Sequence, residues 1–146
     1  MKSLNYILIF AVFSVAIFLI TNSLSFDAQT GDKQFDEKLN EINKDALADL
    51  KAFKSNVANF YQIDETEVSN MMSVMEPAEI ILAIEVAKLA NKPLTEIVNL
   101  HRENKSLGWN KILLSIGIKK NSTEFNDLKQ INMQEINQQE TTISKK

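Results

Sequence analysis

From Asp32 onward apolar residues return every three or four positions, at Phe35, Leu39, Ile42, Ala46, Leu50, Phe53, Val57 and Phe60. The mean step is close to the roughly 3.6 residues per turn of a straight helix and longer than the roughly 3.5 that winds a left-handed supercoil. The pattern therefore predicts one long helix over 32–60 lying on a globular body. Its other face, with Glu37, Lys38, Glu41, Lys44, Asp45, Lys51 and Lys54, mixes both signs of charge and reads as solvated. A homodimer through the apolar stripe of residues 35–60 is the second use the same pattern allows.

Beyond the stripe the signals are short and helical. Asp64 with Glu67 has the spacing of a capping box, opening a helix that carries Val68, Met71, Met72 and Met75 on one side. Pro77 ends it, because the residue before a proline avoids the helical region, and suits the first turn of the next helix, 77–91. That segment is apolar nearly all round, with only Glu79, Glu85 and Lys88 charged. A helix without a polar face belongs in the centre of a fold.

Asn91-Lys92-Pro93 breaks the chain before a helix running to about Lys105, with Leu94, Ile97, Val98 and His101 on one face. Gly108 separates it from a helix bearing Trp109, Ile112, Leu113 and Ile116, closed by Gly117. Asn121 with Glu124, or Ser122 alone, caps a last helix with Phe125 and Leu128 turned inward. Residues 132–146 are polar and rich in Gln and Asn, and are expected as a disordered tail. No strand pattern stands out. Residues 32–131 thus predict an all-α fold: a long N-terminal helix packed on a compact bundle of four to five short helices with a helix-turn-helix-like core.

The start of the chain changes where this domain is expected to work. Lys2 is the only charged residue before Asp27, and residues 6–20 are apolar except for Ser14. A short positive end, an apolar run and then small polar residues predict a secretory signal peptide over 1–25, cut after Ser25, with 26–31 as a linker. The rival is a retained anchor, which would make the membrane a partner through this segment alone. In either case the remainder is expected outside the cytoplasm, periplasmic or secreted.

Composition then narrows the chemistry. The 146 residues include no Cys, one His and three Gly. That excludes thiolate nucleophiles, Cys-based metal sites, sites needing two imidazoles and Gly-rich phosphate loops, so no cofactor, metal or catalytic set is assigned. Loss of residues 1–25 removes one Lys and no acid, taking the net charge from −3 to −4. An acidic chain offers no general attraction to nucleic acid. His101 is the default general base by type, but spacing assembles no nucleophile or ligand set around it. Glu76, Glu79 and Glu85 read as helix-end acids.

A helix-turn-helix DNA-binding regulator using residues 86–105 is the alternative. Ala87, Asn91 and Ile97 fall where that motif has a small residue, a turn residue and an apolar one, and His101, Arg102 and Lys105 follow on the second helix. The acidic balance and the export signal argue against it.

From Glu76 onward the chain resembles a group of small exported bacterial proteins of unknown function. The shared blocks are E-P-A-E-I-I-L-A-I-E-V-A (76–87), K-P-x-x-x-I-V-x-L (92–100), G-W-N-K-I (108–112) and G-I-K-K-N-S-T-E-F (117–125), where Lys120-Asn121 replace the Pro-Gly usual in that group. The resemblance covers about 50 residues and implies an all-helical envelope protein; it brings no activity and no site residue. Function is therefore expected to be non-enzymatic: interaction with an envelope protein or peptide. The candidate surfaces are a methionine groove of Met71, Met72 and Met75, and an amphipathic lip of Arg102, Lys105, Trp109 and Lys111; the other reading makes the methionines adaptable core and packs the indole under the preceding helix, its N–H finding a partner at the edge.

Overall fold

The computed structural model describes residues 26–138, whose regular structure is entirely helical. The predicted signal segment 1–25 and residues 139–146 of the predicted tail lie outside the described residues. In chain order the elements are α1 (Lys33–Ala48), α2 (Leu50–Tyr61), α3 (Glu65–Met72), α4 (Pro77–Leu89) and α5 (Leu94–Asn104). A single 3-10 turn (Lys105–Leu107), α6 (Gly108–Ser115), α7 (Thr123–Leu128) and α8 (Met133–Gln138) follow. Among the described residues no helix is long and apolar enough to cross a membrane.

The all-apolar helix is central, as its composition predicts. Every residue of α4 over 77–87 is buried except Glu85, and α1, α2, α3, α5 and α7 all pack on it. Its start is fixed from α1: the buried Asn43 side chain accepts from the Ala78 amide at 3.2 Å and donates to Glu76 Oε2 at 3.3 Å. The Glu76 amide in turn donates to Glu79 Oε2 at 2.9 Å. These contacts serve amides and flanking groups that a helix N-terminus leaves without partners. At the other end Asn91 turns left-handed at φ 50, and the Lys92 amide reaches back to Ala87 O at 2.9 Å. Asn tolerates that backbone region better than most L-residues.

The predicted long helix is two helices. Asp49 leaves the helical conformation (φ −149, ψ 83), ending α1, and its carboxylate accepts from the Ala52 amide at 2.9 Å to start α2. A short acid side chain competes for nearby amides and so favours a cap over a helix interior. The break changes the stripe's register: Phe35, Leu39, Ile42, Ala46, Phe53 and Val57 are buried, whereas Leu47 and Leu50 are 52% and 40% exposed. The buried members face the chain's own core, where Phe35 meets Phe125 edge-on at 5.7 Å. Burying each such large side chain contributes about 1.5–3 kcal/mol. The buried members of the stripe are consequently not open to a second copy in this fold.

Residues 26–31 are a strap rather than a linker. Ala28 and Gln29 carbonyls accept from the Trp109 and Asn110 amides, both at 2.9 Å, supplying partners at the start of α6. Ala28 and Thr30 are buried, and the Thr30 amide donates to Asp36 Oδ1 at 2.8 Å. Close approach of the strap explains Gly108: at φ +71 a Cβ there would lie 2.4 Å from Gln29 Cβ.

Gly117 closes α6 as expected, with the Ile118 amide on Leu113 O at 2.9 Å and the Gly117 amide on Leu114 O at 3.2 Å. Ser122 Oγ caps α7 by accepting from Phe125 N at 3.2 Å. Asn121, which occupies the glycine position of the resembling pattern, has φ +65.

The disordered-tail expectation fails over 133–138. That segment is α8; Met133 and Ile136 are buried, and Asn56 on α2 donates to Asn137 Oδ1 at 3.0 Å. Two apolar residues three apart suffice to dock one and a half turns against α2, although the polar residues around them hide the pattern.

Candidate functional site

The titratable side chains converge inside the core. His101 from α5 and Trp109 from α6 meet Glu79 of α4: His101 Nε2 lies 2.8 Å from Glu79 Oε1, and Trp109 Nε1 donates to the same oxygen at 3.2 Å. The imidazole and indole rings are 5.4 Å apart, tilted by 35°. With the Glu76 amide on Oε2, the carboxylate has three donors. Burial pushes the Glu79 carboxyl up, but the bonds from His101, Glu76 and Trp109 prevail and hold it below the ordinary range. An ionised carboxylate can only accept, so His101 Nε2–H donates the hydrogen bond to Glu79 Oε1. His101 is 2% exposed, Trp109 1% and Glu79 7%, so the cluster presents no reactive atom to a substrate.

This arrangement revises the candidate surfaces. Trp109 cannot form a lip, because it is buried with its ring beside His101 and its N–H pointing inward to Glu79. Arg102, Lys105 and Lys111 are exposed, as expected of a surface. Met71 and Met75 are buried in the core and Met72 packs partly buried against it, so the three do not line an open groove. Of the residues expected to read DNA, His101 faces Glu79. Exposed Arg102 is set beside exposed Glu103. Among the described residues no group of three or more His, Cys, Asp or Glu is placed to hold a metal ion.

An apolar groove lies elsewhere. The end of α2, the last turn of α4 and the start of α5 enclose about 740 Å³, lined by Phe60, Tyr61, Ile63, Ile84, Ala87 and Leu94, with Lys88, Asn91, Lys92 and Pro93 at its margin. Phe60 and Tyr61 stack edge-on at 4.9 Å, and Lys88 Nζ sits 5.2 Å above the Tyr61 ring. Burial first, and then the charge of Glu85 beside it, push the Tyr61 phenol well above its ordinary value, so it stays neutral. Lys88 pairs with Glu85 at 3.2 Å and Lys92 with Glu96 at 2.6 Å, which holds both amines at the rim.

Sequence reasoning missed the groove because it is built from segments some 30 residues apart. The available signal was local: two adjacent aromatics where the stripe ends, and a proline after the break at Asn91. Set against protein families, curated proteins and solved structures, the chain matches none of them.

Proposed function

We propose that the chain is an exported, non-enzymatic interaction protein of the bacterial envelope, and that it holds a segment of a partner protein in the groove between α2, α4 and α5. The observation that carries this reading is the groove itself. Its volume of about 740 Å³ falls in the range of roughly 300–1,000 Å³ usual for binding sites, and its aromatic and aliphatic lining with a few polar groups is usual too. Because Lys88 and Lys92 at the rim are already paired with Glu85 and Glu96, the groove selects a partner segment by an apolar side chain. Burial of His101 and Glu79 in mutual contact favours binding over chemistry, since neither group is available to a substrate.

The test is capture from fractionated envelope with the full chain as bait, beside a Leu94→Glu variant. Leu94 is half-buried where it opens α5, a position at which an acid complements the helix dipole, so the variant loses the apolar wall, and circular dichroism checks that its helices are kept. A partner bound by the parent and lost with Leu94→Glu supports the proposal. Equal recovery with both baits, or no partner with either, contradicts it.

A further inference from the structure

The charge of the chain is unevenly placed. Residues 104–123 contain four lysines, at 105, 111, 119 and 120, and no acid, in a protein whose net charge is −3. The remaining residues therefore carry −7. All four lysines are exposed, and among the described residues none of them is in an ion pair. The same block presents apolar side chains to solvent. Leu107, 56% exposed, ends the 3-10 turn just before α6, and Leu114, 49% exposed, stands three residues after Lys111, which places that leucine and that lysine on one face of α6. The opposite face, with Trp109, Ile112 and Leu113, is buried in the core.

The course of the chain sets this face beside its N-terminal segment. The strap is bonded to the start of α6 through Ala28 and Gln29, and Lys120 Nζ donates to Gly31 O at 2.5 Å. Only residues 21–25 separate the strap from the apolar run 6–20, and five residues reach at most about 18 Å when fully extended. If that run is retained as an anchor, the alternative to cleavage after Ser25, the start of the strap lies within that distance of the bilayer surface.

We infer that the α6 face with Lys111 and Leu114, together with the preceding Leu107 and the flanking Lys119 and Lys120, docks on an anionic lipid surface. Lysines interleaved with exposed leucines match a headgroup layer, where amines meet phosphates and the leucines enter the acyl boundary. A nucleic-acid backbone would use the amines and leave the leucines in water. This surface is separate from the groove, so either reading can fail without the other.

The absence of cysteine permits a direct test in the full chain. Single variants Leu107→Cys, Leu114→Cys and, as control, Leu47→Cys are labelled with an environment-sensitive fluorophore. All three positions are exposed, so the fold is not threatened. Leu47 lies 14 residues along α1 from Lys33, about 21 Å from the strap end at 1.5 Å per residue. The chain, made by cell-free synthesis with vesicles of phosphatidylglycerol or phosphatidylcholine, is then challenged with an aqueous quencher. Docking predicts that the labels at 107 and 114 shift to the blue and escape quenching on anionic vesicles only, while the label at 47 stays quenched. Adding Lys111→Ala and Lys120→Ala lowers the ratio of protected to quenched label about fivefold per lysine. Labels that remain quenched on anionic vesicles, that are protected equally on neutral ones, or that are protected only by added envelope protein overturn the inference.

Discussion

Replacing Glu79 by Ala removes one acceptor from three donors. Two of them, His101 Nε2 and Trp109 Nε1, belong to side chains only 2% and 1% exposed, where water cannot substitute. Leaving a buried donor without its acceptor costs about 1–3 kcal/mol, and two buried side-chain donors lose theirs here. The third donor, the Glu76 amide, starts α4, the helix on which five others pack. A loss of about 2–6 kcal/mol follows, a large share of the roughly 5–15 kcal/mol that stabilises a domain. Glu79→Gln keeps an oxygen for His101 and Trp109 but turns an NH2 toward the Glu76 amide, for a loss of about 1–2 kcal/mol.

Urea unfolding followed by circular dichroism measures both variants, and the pH dependence adds a signature. The folded carboxyl lies below the ordinary glutamate value of 4.5, so the folded state favours the ionised form. The stabilisation is complete above pH 4.5 and is lost as pH falls through the lower, folded value. The gap between parent and Glu79→Gln therefore narrows on acidification. A Glu79→Ala protein within 1 kcal/mol of the parent, or a gap that widens toward low pH, would refute the reasoning.

Other expectations follow from single contacts. Gly108→Ala forces a Cβ to 2.4 Å from Gln29 Cβ at φ +71, and thermal melting should show a loss of at least about 2 kcal/mol. Asn121→Gly relieves a left-handed residue at φ +65 and should add about 0.5–1 kcal/mol of stability, read as a higher melting temperature. Ile136→Ala should cost about 2–4 kcal/mol in urea unfolding if α8 belongs to the domain; a change under 0.5 kcal/mol would return residues 132–138 to the role of a loose tail.

Much of the fold was legible where one residue decides a local outcome. Pro77 and Gly117 set a helix start and a helix end, and the apolar run over 80–84 admits no solvent face. The signals that failed were those with two local solutions. Asp49 lies within an unbroken helical period, and only competition for the Ala52 amide makes it a cap. Asp64 caps α3, but through the Thr66 amide at 2.6 Å; the reciprocal Glu pairing sits instead at Glu76 and Glu79. The polar cluster was out of reach for another reason. Glu79 is 22 residues from His101 and 30 from Trp109, and nothing in spacing along the chain states which distant helices touch. For the same reason Trp109, exposed on a lip in one reading and buried in the other, was decided only by its contacts with His101 and Glu79.

The central claim is that the groove between α2, α4 and α5 engages a partner in the envelope. Its most direct measurement places a photoreactive amino acid at Leu94 in the full chain, or at exposed Leu47 as control, and irradiates living cells. A discrete protein adduct is expected from position 94, absent from position 47. No adduct at 94, or the same adducts from both positions, would contradict it.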